Sequence, residues 1–337
     1  MPLQCALHTL LSQSHSIRTR PRIGQTARTM GFTVFIDGQE GTTGLEIFEL
    51  LNARNDLVVV PIDQRFRKDP AYKRERYDES DLVILCLPDA AACEAVELSP
   101  SARFLDASTA HRTERSWIYG LPELAPQTRE LIATAQCVSN PGCYPTGFLL
   151  AVRPLVEQGI VPDTQRFQVH AVSGYSGGGK KLISRYESSP NQLMDTRIYA
   201  LNLEHKHLPE MRCHAGLEHP PFFLPAVGPF YRGMVVKFAL TDIDAETVFN
   251  AWTSKYDHEQ FVQVLPIGGG NALEDGFLSA ERCNHTNRVD LLVSSNGDEA
   301  VVCAVLDNLG KGAASAAVQN LNLMLGVDES TGLRVFA

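Results

Sequence analysis

The apolar run Phe32 to Asp37 gives way at once to Gly38-Gln39-Glu40-Gly41-Thr42-Thr43-Gly44, and a helical pattern starts inside that glycine run. Few folds accept this arrangement. A strand that passes through glycines straight into a helix is the first turn of a parallel sheet, where backbone N–H groups and the helix N-terminus can receive a pyrophosphate. The spacing is GxxGxxG, a variant of the commoner GxGxxG, and a tight turn without a ligand also fits it. The residues that follow favour the dinucleotide reading. Leu45, Ile47, Phe48, Leu50 and Leu51 suit a helix over Thr42 to Ala53, and strands are expected at Leu57 to Ile62, Leu82 to Leu87, Arg103 to Asp106 and Ala135 to Ser139. Strands alternating with helical stretches mean βαβ units and a parallel sheet.

The second half changes character. Strands are expected at Arg166 to Val172, Phe222 to Val227, Met234 to Thr241, Phe261 to Leu265, Asp290 to Ser295 and Ala300 to Leu306. A helix-like stretch, Lys180 to Tyr186, follows the first of these, and one clear helix, Ala245 to Lys255, lies among the later ones. That pattern fits a largely antiparallel sheet with one covered face. An alanine-rich helix, Gly310 to Leu325, closes the chain. The expected fold class is therefore α/β with a second, α+β domain, and 337 residues leave room for both.

Composition narrows the function. A net charge of −9 argues against non-specific nucleic-acid binding, and no apolar run approaches the roughly 18 residues of a membrane span. The eight cysteines form no CxxC pair, which fits small core cysteines in a reducing compartment better than disulfides or zinc. Residues 1–29 stand apart, with four arginines and no Asp or Glu. They read as a targeting arm or as a poorly ordered tail ahead of a start at Met30; the second reading is preferred, with a cytoplasmic location, and the first would place the protein in an organelle matrix.

Cys143 is the residue with the clearest chemistry. It sits in Asn140-Pro141-Gly142-Cys143-Tyr144-Pro145-Thr146-Gly147, between an apolar run and a helical pattern that runs from Gly147 to Val156. A helix N-terminus favours a thiolate, so alkylation of Cys143 is expected to reach half its plateau rate well below the free-thiol pKa of about 8.5. A buried, inert cysteine is the competing reading. A thiolate beside a nicotinamide has one obvious use: attack on an activated acyl group, then reduction of the thioester to an aldehyde. That needs an acid/base, and Glu204-His205-Lys206-His207-Leu208-Pro209-Glu210 offers one. His205 and His207 lack a third ligand at suitable spacing, so no metal is expected. After the second strand, Asp63 is followed by Arg65, Arg67 and Lys68; the acid would suit NAD, while the cations, Arg65 first, favour the extra phosphate of NADP.

Taken together these segments, with Asp106 to Arg112, Tyr119 to Leu124, Ser173 to Lys181 and Leu306 to Gly326, resemble the N-acetyl-γ-glutamyl-phosphate reductase family in its second, shorter sequence type. The family lies in the aspartate-semialdehyde dehydrogenase superfamily. The matches keep their order from Gly31 almost to the end. The resemblance implies NADPH-dependent reduction of N-acetyl-glutamyl 5-phosphate to the 5-semialdehyde, in arginine biosynthesis. It also implies a Rossmann domain (residues 30–142 plus 308–337) and an α+β catalytic and oligomerisation domain (143–307). Cys143 would be the nucleophile and His207 the acid/base. Arg112, Glu210, Lys181 and Arg185 are candidates for the substrate. Gly38, Gly41, Thr42, Thr43, Gly44, Arg65, Ser173, Gly174, Gly177, Gly178, Asn308, Lys311 and Gly312 are candidates for NADP(H). The partner is a small acyl phosphate, and a homodimer or homotetramer is expected. The related aspartate-semialdehyde dehydrogenases carry glutamine where this chain has His170, which counts against their substrate. Reduction of another acyl phosphate, such as aspartyl phosphate, and a non-catalytic NADP(H)-binding redox sensor remain as alternatives.

Overall fold

The computed structural model describes residues 31–188 and 195–336; the expectations for residues 1–29 lie outside them. The chain order is β1 (Phe32–Asp37), α1 (Thr42–Asn52), β2 (Leu57–Val60), α2 (Pro70–Glu79), β3 (Leu82–Leu85), α3 (Asp89–Leu98), β4 (Phe104–Asp106), β5 (Ile118–Tyr119), α4 (Thr128–Thr134) and β6 (Cys137–Ser139). These strands form one sheet in the order β2-β1-β3-β4-β6-β5, with every pairing parallel. Val34, Ile36, Leu82, Ile84 and Leu105 pack one face against α1 and the closing helix, while Phe35, Val83, Leu85 and Phe104 pack the other with Tyr77 and Ala92. Burial on both faces is why these strands read as continuous apolar runs.

After β6 come α5 (Cys143–Glu157), β7 (Gln168–Gly174), α6 (Gly179–Glu187), β8 (Arg197–Ile198), α7 (Leu208–Ala215), β9 (Phe222–Gly228), β10 (Met234–Leu240), α8 (Ala245–Tyr256), β11 (Val262–Val264), β12 (Val289–Asn296), β13 (Glu299–Leu306) and α9 (Ser315–Leu325). The second sheet runs β11-β12-β13-β10-β7-β9-β8. It is mixed: β7 with β9 and β11 with β12 pair parallel, the other neighbours antiparallel. One face is buried under α5, α7 and α8. The opposite face is left open at Gln168, His170, Lys237, Ala239 and Val301.

Helix α5 is the central piece, buried along nearly its whole length. Pro154 lies inside it and cannot donate to the Leu150 carbonyl one turn back. The Tyr256 hydroxyl of α8 donates to that carbonyl instead, at 2.8 Å, and the Trp252 indole N–H donates to the next one, Ala151, at 2.9 Å. α5 and α8 are thereby locked together around the proline.

Four helices carry too little pattern to be read from sequence. α2 buries only Tyr77, so it shows no apolar stripe; its signal is the cap, where Asp69 accepts from the Ala71 N–H at 2.9 Å ahead of Pro70. α3, α4 and α7 are short. The expectation of a single helix among the later strands is corrected by α7, which begins at Leu208-Pro209 and ends at the left-handed Gly216.

The chain crosses between the halves at residues 142–143 and returns after β13. A wide π-helical turn, Gly310–Ala314, leads into α9, which packs on α1 and α4 of the first half. Ion pairs bind the halves further, Glu46 of α1 to Arg232 and Arg129 of α4 to Glu259 at 2.5 Å, while the fully buried Lys311 pairs with Glu123 at 2.6 Å and ties the returning segment to the first half.

Candidate active site

Ligands of open parallel sheets bind beyond the carboxyl ends of the strands. Here β6 ends at Ser139, and Asn140-Pro141-Gly142 carries the chain to Cys143, the first residue of α5. Two side chains fix the turn. The Asn140 amide donates to the Ala313 carbonyl at 3.0 Å, and its oxygen accepts from Asn320 at 3.0 Å. The Gly142 N–H donates to Glu210 at 2.7 Å. Gly142 has to be glycine: a methyl there would lie 2.5 Å from Arg112 Nη1 and 2.8 Å from His207 Nε2. A methyl on Gly312, in the π turn, would lie 2.8 Å from Cys143 Cβ. Gly312 thus lets the π turn approach Cys143, and Gly142 leaves room for Arg112 and His207 beside it.

Glu210, in the first turn of α7, organises the rest. One carboxylate oxygen accepts from Gly142 and from the Tyr119 hydroxyl at 2.6 Å; the other accepts from Arg112 at 3.1 Å. Arg112 also donates to the Ala107 carbonyl at 3.0 Å, and its buried Nε has no partner among the described residues. His207 precedes α7 with its Nδ1 likewise buried and unpaired. Its backbone N–H donates to His205 Nδ1 at 3.2 Å, so His205 accepts there and is a neutral support; burial and then Lys206 push its pKa down to about 4.

Burial dominates the electrostatics. It pushes the Cys143 thiol up, against the Tyr144 N–H and Arg112, which pull it down. This overturns the expectation of a resting thiolate: the helix terminus does stabilise the anion, but loss of solvent costs more. Burial, then Arg112, His205 and Lys206, hold His207 well below the usual histidine range. A neutral thiol and a neutral imidazole therefore stand on either side of Gly142.

Two adjoining cavities meet here. The first is lined by Cys143, His207, Arg112, Asn140, Ser176 and Asn308, among others. The second is lined by Gly41 to Gly44, Leu87 to Asp89 and Ala107 to Thr109. Thr42, Thr43, Ala107, Gly179 and Lys206 line both. The second has the make-up of a diphosphate cradle. Gly41, the N-cap of α1, has no side chain to cap the helix, the buried Thr42 hydroxyl has no partner among the described residues, and Gly38 turns the chain with φ +86. A third cavity beside Gly38 is lined by Arg67 and Lys68.

The family described as "Semialdehyde dehydrogenase, dimerisation domain" matches residues 143–308. Among solved structures, aspartate semialdehyde dehydrogenase II from Vibrio cholerae matches with a TM-score of 0.67 at 17% identity, over 88% of this chain and 99% of that one. An aspartate semialdehyde dehydrogenase from Candida albicans, solved with NADP, matches with a TM-score of 0.60 at 12% identity, over 88% and 99%. These similarities establish the fold. Closer in sequence is N-acetyl-gamma-glutamyl-phosphate reductase 2 of a Nostoc species, 49% identical over 89% of this chain and 98% of the relative. The reductase of Burkholderia orbicola is 43% identical over 87% and 97%. The chain belongs to the N-acetyl-γ-glutamyl-phosphate reductase family. It is an oxidoreductase of the semialdehyde dehydrogenase superfamily.

In this family member the structure brings together most of the residues singled out from sequence. Cys143, His207, Arg112, Gly177, Asn308 and Gly312 line the thiol cavity, and Gly41, Thr42, Thr43 and Gly44 the adjoining one. Other candidates lie elsewhere. Lys181 and Arg185 are exposed on α6 and line neither cavity. The Lys311 ammonium is buried in its pair with Glu123 and accepts no role toward a cofactor; it also donates to Gln319. Arg65 pairs with Asp63 at 2.6 Å in solvent, and Arg67, which pairs with Glu40 at 3.3 Å, lines the cavity beside Gly38 together with Lys68. Ser173, Gly174 and Gly178 shape the turn without lining it; a methyl on Gly174 would meet the Tyr231 carbonyl oxygen at 2.5 Å. Glu210 spends its carboxylate on protein donors, which leaves it a support for Arg112 and the Cys143 turn. His170 lies on the open face of the second sheet, away from both cavities, so it carries no argument about substrate. Sequence reading missed Lys206 and Asn140, while Ser176 and Gly179 lie within the Ser173 to Lys181 segment already quoted. Asn140 and Lys206 sit inside motifs already quoted, and their positions beside Cys143 and His207 were the available signal.

Proposed function

We propose that this enzyme reduces N-acetyl-glutamyl 5-phosphate to the 5-semialdehyde with NADPH, through a thioester on Cys143, as a step of arginine biosynthesis. The observation that carries the reading is the convergence of Cys143, His207 and Arg112 on the rim of a glycine-turn cavity. The names of the relatives supply the substrate. Arg67 and Lys68 beside Gly38 favour the 2′-phosphate of NADP over NAD.

In this reading neutral His207 takes the Cys143 proton as sulfur attacks the acyl carbon. The carbon–oxygen bond to phosphate breaks, and His207 returns the proton to the departing phosphate. The unpaired Nε of Arg112 and the Asn140 turn face the leaving group. When bound, the nicotinamide supplies the hydride that reduces the thioester. Collapse of the resulting tetrahedral adduct regenerates the Cys143 thiolate and frees the aldehyde. Residues 30–142 with 308–337 act as the cofactor domain and 143–307 as the catalytic domain. The open sheet face, partly apolar, fits a homo-oligomer, in line with the description of the matched family.

The test is the reverse reaction: N-acetyl-glutamate semialdehyde, phosphate and NADP⁺, followed by absorbance of NADPH. Phosphate-dependent turnover that disappears in Cys143→Ala and falls by about 10² or more in His207→Ala is expected. Turnover that survives Cys143→Ala sinks the thioester route. No turnover by the intact enzyme, with aspartate semialdehyde active instead, sinks the substrate.

A further inference from the structure

Two cations line the thiol cavity, Arg112 and Lys206, and they are not equivalent. Arg112 is buried and its charge is met by Glu210 at 3.1 Å. That pair, with Tyr119 and Gly142 on the same carboxylate, is close to neutral as a unit. A phosphoryl group arriving with two negative charges finds one open Nε–H there and no net charge. Lys206 is different. Its side chain is exposed, and its ammonium has no hydrogen bond or ion pair among the described residues. Among those residues it is also the one cation that lines both cavities.

From the proposed function and this geometry, we infer that Lys206 holds the phosphoryl group of the acyl phosphate, and the phosphate product, at the mouth where the two cavities join. Its neighbours suit that task. His205 and His207 bracket it in sequence, and it lines the thiol cavity with Cys143, His207 and Arg112. Its charge is felt at three points, lowering the Cys143 thiol, the His207 imidazolium and the Asp89 carboxyl. An ammonium on a four-carbon stem is a movable point charge, able to follow phosphate as it leaves the acyl carbon. Arg112 then orients, and Lys206 neutralises.

Two measurements test this on the full-length enzyme. In the reverse assay, Lys206→Ala is expected to raise the KM for phosphate on the order of tenfold or more, as loss of a charge-assisted contact implies, with the KM for NADP⁺ within about twofold. Lys206→Arg is expected to recover most of the loss. Independently of turnover, inorganic phosphate is expected to slow iodoacetamide alkylation of Cys143 in the wild type, against chloride at equal ionic strength, and to protect Lys206→Ala only at about tenfold higher concentration. Unchanged phosphate KM and protection overturn the inference, as does a KM effect that falls on NADP⁺, which would assign Lys206 to the cofactor diphosphate. If phosphate protection depends on Lys206 but N-acetyl-glutamate semialdehyde is not oxidised, the phosphate site stands and the choice of substrate fails.

Discussion

Cys143 and His207 have their protonation preferences pushed in opposite directions by the same cause. Burial raises the thiol and lowers the imidazolium, so both stay uncharged at neutral pH. The sign follows directly. A raised thiol pKa lowers the thiolate fraction at every pH below it, so alkylation of Cys143 in the free enzyme should reach half its plateau above the free-thiol value of about 8.5. A lowered histidine pKa keeps the base form available, so the acid limb of kcat/KM should fall below pH ~6.5. A half-plateau at pH 7 would show that the helix terminus outweighs burial after all. Sequence could show that Cys143 and His207 were special, because each sits in a dense motif. It could not show this balance, since Arg112, Glu210 and Tyr119, which close around the thiol, lie in segments distant from Cys143 in the chain. Direction was equally hidden. Nothing in the order of residues says that Lys181 and Arg185 point to solvent, that Lys311 turns inward to Glu123, or that Lys206 alone among these lysines meets the cavity.

Elements with an apolar rhythm were legible, and those held by caps or partners were not. The parallel strands and α5 announce themselves through buried runs. α2 has no such run, and only Asp69-Pro70 marks its start. The second sheet is largely antiparallel, as expected, and only its parallel pairings escape: that of β7 with β9 depends on where the connection through α6, β8 and α7 delivers the chain. α5 also contains a helix breaker that its surroundings repair. Tyr256→Phe would leave the Leu150 carbonyl buried beside Pro154 without its donor. We expect a loss of about 1–3 kcal/mol in unfolding free energy, read from the urea midpoint, with the slope unchanged. A shift within experimental scatter would mean that another donor, such as Trp252, takes over.

The two halves meet along the site, and the second half keeps part of one sheet face uncovered, the rest being closed by the cluster of Val235, Leu265, Leu292 and Val305. Val301 is 48% exposed there and Phe222 39%, beside Lys237 and His170. With a second copy seated on that face, Val301→Glu together with Phe222→Glu should shift the protein by size-exclusion chromatography with light scattering from an oligomer to a 37.1 kDa species. A wild-type protein already at that mass would exclude the arrangement.

The path of the chain has a mechanical consequence. It passes between the halves at residues 142–143 and again through residues 307–308, and Gly312 lies against Cys143 just beyond the second passage. A door whose two hinges lie beside the lock swings widely at its far edge and scarcely moves at the bolt. Rocking of one half on the other would move each residue in proportion to its distance from these two passages. Cys143, at the axle, would hold its place against Gly312 through every opening and closing of the cleft.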